Sequence, residues 1–131
     1  MGAFENDDAM DWIAGFCESP GDEELRATLC AAADAKGYLE SPESSNALAA
    51  AEVVAALKGV PTANAIVVED FLPVIARSGI TVTAELTALA LRAIDRVATD
   101  SELKELWDEV DDAPAWRAEV AALRERVAGR P

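Results

Sequence analysis

From Asn46 to Leu57 the chain reads Asn-Ala-Leu-Ala-Ala-Ala-Glu-Val-Val-Ala-Ala-Leu, and a helix built from it is apolar on nearly every side except at Glu52. Such a helix has no face suited to water, so it belongs in the middle of a packed set of helices. Alanine suits that position because it lets neighbouring helices approach closely. The remainder of the chain must then supply amphipathic helices that cover it. Composition agrees: 28 of the 131 residues are alanine and 51% are hydrophobic, enough to build a core and too many for a disordered chain. The length is room for one domain, residues 1–131. A domain of this size is expected to bury roughly two-thirds of its extended-chain surface.

The other segments read as helices divided by caps and stops. Ala65-Ile66-Val67-Val68 is the one short stretch that also suits a strand. A first helix is expected to start at Asn6, whose side chain caps free amides, with Asp7 and Asp8 at the positive end of the helix dipole. Ala9, Ile13, Phe16 and Cys17 share its inner face, with Trp12 beside them. Ser19 with Pro20 marks the start of a second helix, whose stripe of Leu25, Leu29, Ala32 and Ala33 ends at Gly37. Ser41 with Pro42 repeats that signature ahead of the alanine-rich helix, which Gly59 and Pro61 stop. A short helix from near Glu69 or Asp70 holds Pro73 in its first turn and closes at Gly79. Thr81 or Thr83 caps a fifth, with Leu86, Leu89, Ala90, Ala93 and Val97 inward. Asp100 or Ser101 caps a sixth, carrying Leu103, Leu106, Trp107 and Val110 on its apolar side. Asp112 and Pro114 open the last, with Trp116, Val120, Leu123 and Val127 spaced three or four apart. The expected fold is all-α, a compact bundle or orthogonal array of six to seven helices joined by short connections.

Three stretches together carry a family resemblance. They are Phe4-Glu5-Asn6-Asp7-Asp8-Ala9-Met10-Asp11-Trp12; Tyr38-Leu39-Glu40 followed by Ala47 to Ala55; and Asp100-Ser101-Glu102-Leu103-Lys104-Glu105-Leu106-Trp107 followed by Trp116. The chain resembles domain-of-unknown-function family 4259 over nearly its whole length, most weakly from about Val60 to Thr83. It departs from the usual family opening at one point: where a Trp-Gly-x-Gly segment precedes the Phe-x-Asn-Asp stretch, Ala3 runs directly into Phe4. The resemblance implies a small bacterial protein with an all-α fold. It implies no established activity.

The chemistry available is narrow. There is no histidine, no phosphate-binding glycine loop and no cysteine pair at metal-ligand spacing. Asp7 and Asp11 stand one turn apart on the first helix, with Asn6 and Asp8 close by. They read chiefly as capping and dipole complementarity. The alternative is a carboxylate cluster for a divalent cation with Glu52 as a further ligand. Glu52 itself needs a partner or must go neutral if its helix is central. Arg92 and Arg96, one turn apart on the fifth helix, are the expected partners, and a buried Glu–Arg pair is favoured over a catalytic or ligand role. Tyr38, the sole tyrosine, is expected to pack on the following helix with its hydroxyl at the surface, or else to close over a pocket. Trp12, Trp107 and Trp116 read as core anchors. Cys17 and Cys30 read as reduced small hydrophobes. Arg117, Arg124, Arg126 and Arg130 are expected to pair with Glu119, Glu125 or other acidic neighbours.

Charge points to the partner class. The formal net charge is −14, and the first 24 residues hold eight acidic side chains with no Lys or Arg. That opening is unlike a secretory signal, so a cytoplasmic location is expected. The sign is wrong for nucleic-acid phosphates, and no apolar run approaches a membrane span. The favoured expectation is a non-catalytic interaction module, without cofactor, for a basic protein partner, of which toxin-neutralising proteins are one type. The alternative is a divalent-metal enzyme or ligand binder using Asp7, Asp11 and Glu52.

Overall fold

Every side chain from Ala47 to Ala56 is buried, Glu52 included. This is the central helix expected from its lack of a polar face. The computed structural model describes residues 7–60, 71–110 and 113–129. In chain order the helices are α1 (Asp7–Glu18), α2 (Asp22–Ala33), α3 (Ser41–Leu57), α4 (Phe71–Arg77), α5 (Ala84–Thr99), α6 (Glu102–Asp108) and α7 (Ala113–Ala128). No strand occurs among the described residues. Helix α3 touches all six of the others, and α5 closes the array against α2, α6 and α7. The protein is an all-α array around α3.

The stripes read from sequence point into this core. Ala9, Ile13 and Phe16 of α1, Leu25, Leu29 and Ala32 of α2, and Leu86, Ala90, Ala93 and Val97 of α5 are buried. Trp116, Val120, Leu123 and Val127 of α7 are buried too. Trp12 stacks on Phe16 with ring centroids 5.3 Å apart and donates its indole N–H to Thr28 Oγ1 at 2.9 Å. Trp107 and Trp116 stack at 6.1 Å and tie α6 to α7. Cys17 and Cys30 are partly buried thiols.

The caps show where local reading holds. Thr83 Oγ1 accepts from the Leu86 amide and starts α5. Ser101 Oγ accepts from the Lys104 amide and starts α6. At the end of α3, Gly59 takes φ 87°, a conformation that costs glycine little. That turn lets the Gly59 amide reach Ala56 O and the Val60 amide reach Ala55 O, which satisfies two terminal carbonyls.

Four expectations need correction. Ser19 does not start α2; its amide closes α1 on Gly15 O and Phe16 O, and α2 is preceded by Gly21. Ser41 is already helical, and Glu40 precedes α3. The Ser41 amide is satisfied instead by Glu102 Oε1, 61 positions away, at 2.7 Å. Leu106 on α6 and Val110, just beyond its end, do not point inward; they are 47% and 50% exposed. That helix has seven residues and lies at the rim, so Leu103 and Trp107 use up its contact with the core. The arginines of α7 pair with acidic side chains, but on other helices rather than at Glu119 or Glu125: Arg117 meets Asp108, Arg124 meets Asp95 and Arg126 meets Glu52. Asn6, Pro61, Ala65 to Val68, Glu69, Asp70, Asp112 and Arg130, and the readings placed on them, lie outside the described residues.

Candidate functional site

Glu52 sits one turn from the end of α3, with neighbours from α7. The Arg126 guanidinium donates to Glu52 Oε1 at 2.9 Å and to Oε2 at 3.2 Å, a two-pronged fit of planar donor to planar acceptor. Arg126 also donates to Val60 O at 3.3 Å. Lys58, which caps the end of α3, donates its Nζ to Val127 O. The ends of α3 and α7 therefore satisfy each other's charged and orphaned groups. The Glu52 side chain is 6% exposed and that of Arg126 21%. Burial pushes the Glu52 carboxyl above its ordinary value; the bond and charge of Arg126 pull it back down, and the Glu119 carboxylate adds to the rise. The result is a carboxylate with both oxygens engaged, which suits a structural tie better than proton transfer or metal ligation.

The expected partners of Glu52 are elsewhere. Arg92 binds Asp34 Oδ1 at 2.9 Å. Arg96 donates to the carbonyls of Ala35 and Gly37 and to Asp100 O. Both arginines thus brace the C-terminal end of α2, where a cation meets the negative end of the helix dipole. Sequence spacing correctly marked them as a pair on one face of α5. It could not say which end of which helix that face meets.

The carboxylates of α1 and α2 remain at the surface. Asp8, Asp11, Glu18, Asp22, Glu23 and Glu24 are all exposed. Asn6 and the Asp7 side chain lie outside the described residues. Arg26 is the only basic residue of the first 35, and Asp22 holds it at 2.9 Å. Among the described residues no three Cys, Asp or Glu side chains gather as a metal ion would require. No helix there is long and apolar enough to cross a membrane.

Tyr38 is exposed, and its hydroxyl donates to Glu105 Oε1 on α6 at 3.1 Å. Local desolvation, that bond and the carboxylates of Glu105, Glu102 and Glu40 raise its pKa to about 12. The ring therefore marks the junction of the 38–40 connector with α6 rather than a staple on α3. Sequence reasoning missed the role of Glu102 and the pairing of Arg126 with Glu52, both of which join distant helices. Their only signal was an acidic residue in a first turn and a basic one in a last turn.

Fold and site together define an acidic all-α array whose central helix is tied to α7 by a buried ion pair. The chain belongs to the DUF4259 family, a domain of unknown function, whose family model matches residues 1–119. Glu52 lies within that stretch and Arg126 beyond it. No curated protein and no solved structure matches the chain.

Proposed function

We propose that this protein is a non-catalytic interaction module that binds a basic protein partner in the cytoplasm. The observation that carries the reading is the distribution of charge. Most described cations are already spent within the fold: Arg26, Arg92, Lys104, Arg117, Arg124 and Arg126 all lie in ion pairs. Asp8, Asp11, Glu18, Glu23 and Glu24 are exposed and enter no ion pair among the described residues. A helical array with net charge −14 attracts a basic surface at long range and repels nucleic acid.

The test is capture from the host's lysate with the wild type and with a variant carrying Asp11→Asn, Glu18→Gln, Glu23→Gln and Glu24→Gln. A single stoichiometric basic protein, retained at low salt and released at high salt, is the expected result. The variant should retain less of it and release it at lower salt. Capture that ignores both salt and the substitutions overturns the reading.

A further inference from the structure

We propose that the flank of α6 beside Tyr38 seats the partner, and that the segment it receives is an amphipathic helix with Lys or Arg bordering its apolar face. This inference rests on the basic-partner reading and gives it a location. Among the described residues the large hydrophobic side chains left exposed are Tyr38, Leu106 and Val110, at 58%, 47% and 50%. Single exposed apolar residues are ordinary, but Leu106 and Val110 lie four positions apart at the end of α6, and Tyr38 is bonded to the residue before Leu106. The bond from Tyr38 to Glu105 sets the ring beside the turn that carries Leu106. Val110 follows one turn later.

The connector and α6 are clamped together. The Glu102 amide donates to Leu39 O at 2.8 Å, and the Ser41 amide donates to Glu102 Oε1 at 2.7 Å. Within α6, at about 100° per residue, Glu102, Glu105 and Leu106 fall on one flank; Glu109 caps the helix and Val110 follows it, both exposed. Leu103 and Trp107 face the core. Lys104 and Asp108 lie on the opposite flank, where Arg117 also binds Asp108. The apolar row is thus edged by carboxylates, while the cations of this helix and of Arg117 are committed elsewhere.

That pattern complements a basic amphipathic helix: apolar residues meet Leu106, Val110 and the Tyr38 ring, and flanking cations meet Glu105 and Glu109. A second copy fits poorly, because a symmetric contact would bring the same carboxylates against each other. An anionic lipid surface is repelled by the same charges.

The experiment titrates the 15N-labelled protein with a synthetic Leu/Lys amphipathic helical peptide, its sequence-scrambled isomer and oligolysine of equal charge. The amphipathic peptide should bind about tenfold more tightly than the other two, as burial of two aliphatic side chains allows. It should first shift the amide signals of residues 38–41 and 102–110. In the Leu106→Ser/Val110→Ser variant that advantage should vanish. Near-ultraviolet circular dichroism of the stacked tryptophans checks its fold, and Tyr38→Ser repeats the test on a second side chain. Equal binding of all three peptides, or shifts confined to α1 and α2, overturns this location and leaves the basic-partner reading standing. Binding of none at low salt overturns both. A dimer by sedimentation that the α6 variant dissolves gives the row to a second copy and overturns the proposal.

Discussion

Replacing Arg126 by Leu should be among the most damaging single changes in this protein. The substitution removes both prongs of the fork at 2.9 and 3.2 Å and leaves the Glu52 carboxylate, 6% exposed, without its counter-ion. Breaking a buried pair from one side costs about 3–5 kcal/mol, mostly from the stranded charge. For a domain of this size that corresponds to a fall of roughly 10–20 °C in Tm. The double variant Glu52→Leu/Arg126→Leu strands nothing and should return to within about 1–2 kcal/mol of the wild type. The deficit is also proton-linked. Burial holds the Glu52 pKa above its ordinary 4.5 even with Arg126 present, and losing Arg126 removes the two influences that lower it. In the folded variant Glu52 then binds a proton more readily than in the unfolded chain. Its stability rises as pH falls through that raised value towards 4.5, and is lost as pH climbs above it. Urea unfolding followed by tryptophan fluorescence, at mildly acidic and mildly alkaline pH, measures each term. An Arg126→Leu variant within about 1 kcal/mol of the wild type at alkaline pH would refute the argument, since a buried charge cannot be stranded so cheaply.

Other expectations concern the same elements. Tyr38 is the only tyrosine, so ultraviolet absorbance during an alkaline titration reads it directly; the midpoint should lie at about 12 and fall towards 10.0 in Glu105→Ala. An unchanged midpoint in that variant would remove Glu105 as a cause. Ser101→Ala loses both the cap on Lys104 and the bond to Val97 O, so it should cost about 1–2 kcal/mol, against about 1 for Thr83→Ala at a more exposed end. Equal, negligible losses in urea would show that neither hydroxyl caps its helix. Ala51→Leu places a larger side chain where α3 is fully enclosed and should destabilise by about 1–3 kcal/mol or more, whereas Ala122→Leu on the open side of α7 should stay within about 0.5. A thermal melt compares the two, and equal Tm values would deny that alanine is needed for close approach.

Much of the architecture is legible in the order of residues. The central place of α3 follows from ten successive positions, Ala47 to Ala56, that hold one polar side chain between them. The starts of α5 and α6 follow from Thr83 and Ser101, and the end of α3 from Gly59. The need of Glu52 for an arginine follows from its apolar setting. The identity of that arginine does not, nor does the rim position of α6 that leaves Leu106 and Val110 in solvent.

The division has a physical basis. Caps, stops and apolar stripes act over three or four residues, so the chain alone pointed to six or seven helices, most of their inner faces and the burial of α3. Choosing Arg126 over Arg92 or Arg96 depends on which helix ends meet, and so on how whole helices dock. The same docking turned Glu102 into the acceptor for the Ser41 amide and sent Arg92 and Arg96 to the end of α2. Those contacts join residues 58 to 74 positions apart, where no local rule reaches, and only the tertiary structure decided them.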